Sequence, residues 1–151
     1  MTIDNINVEK FFNLAFKNHK ENNLNEAEKL YKKILKINST HFNSIFYLSS
    51  LFAFKKKYKE AKELLEKAII IQPNHVSAHN NLGAILLKLG DYNGALFSFQ
   101  NATQINPNDI SSKNNLAVLL RSSHLRKISI KKNDNSYSKS IFLTLFRRND
   151  V

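Results

Sequence analysis

Hydrophobic residues recur along this chain at a fixed interval. Leu14, Leu48, Leu82 and Leu116 follow one another 34 residues apart, Ala27, Ala61 and Ala95 keep the same step, and the two prolines, Pro73 and Pro107, are also 34 apart. Between these markers the apolar positions fall three and four residues apart, which is the spacing of one helix face. A period of this length predicts a tandem array of helical repeats.

Each period reads as two helices and a turn. In residues 76–109 the first helix carries Leu82, Ile85, Leu86 and Leu89, and the second carries Ala95, Leu96, Phe99, Ala102 and Ile105. Gly90 separates them and suits a helix C-cap with φ > 0. Pro107 closes the unit, because proline cannot continue the second helix. Residues 42–75 repeat the pattern with Leu48, Phe52, Tyr58, Ala61, Leu65, Ala68 and Ile71, and residues 8–41 repeat it with Phe11, Leu14, Ala27, Tyr31, Ile34 and Ile37. Residues 110–122 give a fourth first helix, and residues 1–7 are read as a tail. The side chains expected in the core are Leu14, Leu48, Leu82, Leu116, Ala61, Ala95, Leu65 and Phe99.

The stretch Ala78-His79-Asn80-Asn81-Leu82-Gly83, with Leu89-Gly90-Asp91-Tyr92, Ala95, Ala102 and Asn106-Pro107-Asn108, resembles the tetratricopeptide repeat (TPR) family. The resemblance covers residues 8–109 as three units and continues through Lys113-Asn114-Asn115-Leu116-Ala117. It implies an all-α, right-handed α-solenoid of helix-turn-helix units.

After residue 122 the pattern stops. Residues 123–137 read as a polar, basic loop, and residues 138–148 as a short capping helix bearing Ile141, Phe142, Leu145 and Phe146. Arg147 and Arg148 near its end would favour the negative pole of the helix dipole. The chain then ends soon after an apolar stretch, whereas solenoids close with a polar outer face. Two expectations follow: that the chain is the N-terminal repeat portion of a larger glycosyltransferase- or sulfotransferase-type enzyme, or that it is a scaffold forming oligomers through its C-terminal edge.

Composition narrows the chemistry. There is no cysteine, hence no disulfide, thiol nucleophile or cysteine-based metal site. Only three glycines occur, Gly83, Gly90 and Gly94, each with a repeat role, so no glycine-rich phosphate loop is present. Of the +11 net charge, residues 110–151 carry +7 and residues 76–109 carry −1. We read this charge as a composition rich in lysine, asparagine and isoleucine, because no basic-and-aromatic stacking platform accompanies it, and nucleic acid is not an expected partner. His75 and His79 stand four apart but straddle a turn, so no metal is expected there. No cofactor, small-molecule substrate, catalytic group or membrane span is expected. The N-terminus lacks a signal-peptide pattern, which makes the cytoplasm the expected location.

What remains is a binding surface. In solenoids the first helices line the concave face. Immediately before each repeated leucine stand Asn13, Tyr47, Asn81 and Asn115, with Asn80 and Asn114 beside the last two and Phe12 and Phe46 at the matching places earlier. This column is similar to the asparagine ladder in the repeat arrays of O-linked N-acetylglucosamine transferases. That resemblance implies amides hydrogen-bonding the backbone of an extended peptide, with Tyr47 a departure from the pattern. An amide offers both donor and acceptor, so it can match a peptide group whatever the side chain. The expected function is therefore a non-catalytic module that binds a protein or peptide segment.

Overall fold

The computed structural model describes residues 3–121, and among them it contains seven α-helices and no strand. They are α1 Ile3–Lys20, α2 Leu24–Ile37, α3 Phe42–Phe54, α4 Tyr58–Ile71, α5 Val76–Lys88, α6 Tyr92–Ile105 and α7 Ile110–Arg121. The loop and capping helix expected over residues 123–148 lie outside the described residues. The chain divides into two compact units, Met1–Pro73 with α1 to α4 and Asn74–Val151 with α5 to α7. In the first, α1 packs on α2, α2 on α3 and α3 on α4; in the second, α5 and α7 both pack on α6. This is an all-α, helical-repeat fold.

The turns explain why the pairs recur. Asn22, Lys56 and Gly90 all have positive φ (63°, 58° and 81°) and stand 34 residues apart. At each one the next residue's N–H reaches back to the first helix: Asn23 to the Asn18 carbonyl (2.8 Å), Lys57 to Phe52 (2.8 Å) and Asp91 to Leu86 (2.9 Å). The positive-φ residue itself donates to His19, Ala53 or Leu87. This is the two-bond Schellman closure of a helix C-terminus. Gly90 adopts it without strain, Asn22 with little, and Lys56 at a cost.

Helix starts also share one position. His41 Nδ1 accepts the Ser44 N–H (3.3 Å) ahead of α3, and His75 Nδ1 accepts the Ala78 N–H (3.2 Å) ahead of α5. At the equivalent place before α7, Asp109 accepts the Ser112 N–H at 2.7 Å. A neutral imidazole nitrogen thus does the work usually given to a short polar side chain.

The core is built from the same columns. Ala27, Ala61 and Ala95 are fully buried, as are Ile34, Ala68 and Ala102, and between them lie Tyr31, Leu65 and Phe99 at 0–1% exposure. Gly83 of α5 faces the Phe99 ring so closely that a Cβ there would lie 2.6 Å from Cε1. Leu48 and Leu82 are buried as expected.

Three expectations need correction. Leu14 is 48% exposed. Its helix packs chiefly on α2, whereas α3, which carries Leu48, has both α2 and α4 beside it. Among the described residues, the side of α1 bearing Leu14 is therefore left largely uncovered. Leu116 of α7 is only half-buried, and the residues that would pair with α7 as its second helix lie outside those described. Finally, α1 begins at Ile3, so residues 3–7 are helical and not a tail. No proline or glycine stands between Ile3 and Val8 to stop the helix.

Three stability outcomes follow. Gly83→Ala drives a methyl into the buried Phe99 ring. Overpacking of about 1–3 kcal/mol exceeds the propensity gain of up to about 1 kcal/mol, so the urea midpoint falls. Lys56→Gly relieves a left-handed backbone costing roughly 1–2 kcal/mol against a smaller entropic loss, so the midpoint rises.

The third concerns pH. Burial lowers the pKa of His41 and of His75, with opposing contributions from Glu9 and from a backbone hydrogen bond respectively. A depressed folded pKa contributes stability that is fully present above the ordinary histidine value of 6.5 and is lost as pH falls from there through the lower folded value. Stability measured by urea titration should therefore decline from pH 7 to pH 5. The double change His41→Asp and His75→Asp should flatten this decline.

Candidate functional site

Two surfaces on first helices stand out, one in each unit. In the first unit, Phe12 and Phe16 lie one turn apart on α1 and stack with centroids 6.1 Å apart. Tyr47 of α3 meets them at 6.0 and 5.0 Å and touches Phe46 edge-on at 5.6 Å. Tyr31 of α2 is fully buried, 6.2 Å from Phe12 and stacked on Tyr47 at 6.3 Å. His19 sits edge-on to both tyrosines, its Nδ1 3.4 Å from the Tyr31 hydroxyl, and His41 is edge-on to Phe12 at 5.4 Å. Phe12, Phe16 and Tyr47 remain half-buried, so part of each ring is open. Lys20 Nζ stands 4.5 Å over the Phe16 ring, a cation–π contact.

Electrostatics keep these rings neutral. Burial, helped by the neighbouring Tyr47, pushes the Tyr31 hydroxyl well above the ordinary tyrosine range. Burial likewise lowers the His19 imidazole. At neutral pH the positive charge in contact with these rings is that of Lys20.

In the second unit the surface is amide. Asn115 Nδ2 of α7 donates to Asn80 Oδ1 of α5 at 3.0 Å. Each amide can still offer its other half, a donor on Asn80 and an acceptor on Asn115. Asn80 and Asn81 are half-buried, while Asn114 and Asn115 are exposed. Four amides therefore sit on the neighbouring helices α5 and α7.

Of the residues singled out from the sequence, Asn80 and Asn115 are in direct contact and Asn81 and Asn114 adjoin them. Asn13 is exposed on α1, and Tyr47 is packed among rings. Phe16, His19 and Tyr31 were not anticipated as parts of a face. The four-residue step from Phe12 to Phe16 was the available signal, since such pairs share a helix face. His75 caps α5 and His79 is buried at 7% exposure. Among the described residues no group of three or more His, Cys, Asp or Glu could hold a metal ion, and no helix is long and apolar enough to cross a membrane.

The fold defines a helical-repeat protein, and comparison with known proteins gives the family. Residues 44–75 and 76–109 match family models of the tetratricopeptide repeat. Those residues carry two tetratricopeptide repeats. No curated protein sequence matches it. Among solved structures it is similar to an O-GlcNAc transferase of Thermobaculum terrenum (TM-score 0.76, 22% identity, 98% of this chain and 27% of that one). The chain thus spans about a quarter of that enzyme's length. It is also similar to the first TPR of Spaghetti (RPAP3) bound to an HSP90 peptide (TM-score 0.71, 18% identity, 74% and 89% covered). The Sgt2 TPR domain of Aspergillus fumigatus gives TM-score 0.71 at 18% identity, with 79% and 80% covered. At these identities the likeness concerns the fold.

Proposed function

We propose that the chain is a protein-interaction module whose amides on α5 and α7 hold the main chain of an extended peptide. The observation that carries this reading is the Asn115–Asn80 hydrogen bond, 3.0 Å long, between neighbouring first helices. It orients two amides against one another and leaves a donor and an acceptor for a ligand. An extended peptide presents N–H and C=O groups in alternation, which such a pair complements without regard to side chain. Asn81 and Asn114, each one residue away along its helix, supply two further amides, the first half-buried and the second exposed. In the first unit the corresponding positions are Asn13 and Tyr47, where Asn13 supplies one amide and Tyr47 supplies a ring. A similar repeat domain, that of Spaghetti, is described as bound to an HSP90 peptide, which supports peptide binding as the use of this fold.

The test starts from peptides selected by phage display against the whole chain and measured by fluorescence anisotropy. Changing Asn81 and Asn115 together to Ala should weaken the selected peptide by about tenfold, the worth of one or two net hydrogen bonds. The melting temperature should stay nearly unchanged, because Asn115 is exposed and Asn81 half-buried. Equal losses of stability and affinity would assign these amides a structural role, and unchanged affinity would remove them from the site.

A further inference from the structure

The ring face of α1 and α3 has a chemistry that the amide reading leaves unused. Phe12, Phe16 and Tyr47 touch one another at 5.0–6.1 Å yet remain half-buried. Beneath them Tyr31 is fully buried and neutral, so the floor is apolar and fixed. Half-open rings on a rigid floor favour a further aromatic side chain, which gains edge-to-face or offset contacts in addition to burial.

Charge selects among occupants. Lys20 Nζ already covers Phe16 at 4.5 Å, so a cationic ligand would meet repulsion over the ring. Lys17, three residues before it, is paired with Glu21 at 3.9 Å, but residues 1–73 carry 13 basic against 8 acidic side chains, a net +5. His19 is held toward its neutral form by burial. A carboxylate beside the inserted ring would meet Lys20 and a net positive surround, whose field also speeds encounter with acidic segments.

We infer that the α1–α3 ring face docks an acidic protein segment that inserts one aromatic side chain against Phe12, Phe16 and Tyr47 and sets an adjacent carboxylate at Lys20. The inference rests on the reading of this chain as a peptide-binding module and names a ligand class for a surface apart from the amides of α5 and α7.

The probes are three fluorescein-labelled peptides in a glycine-serine background: one with a phenylalanine followed by two glutamates, one with alanine for the phenylalanine, and one with lysines for the glutamates. Against the whole chain the first should bind about tenfold or more tighter than the second, from burial of one ring, and tighter than the third. Lys20→Glu, at an exposed position, should reverse the preference between glutamate and lysine flanks while the melting temperature holds. Phe16→Leu, which keeps apolar volume, should narrow the gap between the phenylalanine and alanine peptides. The Asn81→Ala, Asn115→Ala double variant should still prefer phenylalanine to alanine, which separates this inference from the amide reading. Equal binding of the first two peptides, an unchanged flank preference in Lys20→Glu, or no binding of any probe would overturn the proposal. So would sedimentation of the chain alone as a dimer that Phe16→Leu dissociates, because a second copy would then occupy the rings.

Discussion

A bulky side chain seated against a residue with little or none is the contact on which the rest of this molecule depends. Phe99 of α6 fills the space left by Gly83 of α5, and a Cβ at that glycine would intrude to 2.6 Å. At the matching places of the earlier pairs, Ala15 and Ser49 on the first helices and Tyr31 and Leu65 on the second are all at 0–1% exposure. Such pairings let two helices approach closely, and the approach fixes which faces of the first helix remain outside. Interiors pack to near-crystalline density, so a change of one methyl at this contact is transmitted to helix position rather than absorbed. Of the side chains one residue before the repeated leucines, Asn13 and Asn115 are exposed and Tyr47 and Asn81 half-buried.

Backbone hydrogen bonding carries the repeat more faithfully than side-chain identity does. The positive-φ position is asparagine, lysine and glycine in successive turns, yet the same two reaching-back bonds form each time. The helix-start position is histidine, histidine and aspartate, and each accepts an N–H three residues on. Because a helix end left without partners exposes several unpaired groups, any side chain able to supply an acceptor is tolerated there. The choice of residue sets how stability responds to pH and strain, while the geometry stays the same.

The sequence disclosed the fold well and the surfaces less completely. The 34-residue period in leucine, alanine and proline placed the helix pairs, and Gly90 marked a turn whose φ is indeed positive. Periodicity identifies equivalent positions but not their neighbours, which is why Leu14 was expected in the core although nearly half of it is exposed among the described residues. Likewise Asn80 and Asn115 are 35 residues apart, one more than the period, so their contact is diagonal and a column of equivalent positions does not reveal it. The histidine caps were hidden because histidine is not a usual N-cap residue. Their 34-residue spacing from each other and from Asp109 was nonetheless present in the sequence.

The tyrosine that interrupts the asparagine column has a physical cause in the residue beneath it. Where α6 places Phe99, α2 places Tyr31, which is equally buried but carries a hydroxyl that requires a partner. His19 Nδ1, 3.4 Å away, supplies one, and this draws an imidazole to the end of the first helix. The larger tyrosine ring is then roofed by Phe12 and by the stacked ring of Tyr47. An asparagine at position 47 would leave part of that ring uncovered. Burying Tyr31 thus accounts for the aromatic face of α1 and α3, whereas Phe99, seated on Gly83, leaves α5 and α7 free to carry amides. The character of each outer surface follows from the side chain chosen for the interior behind it.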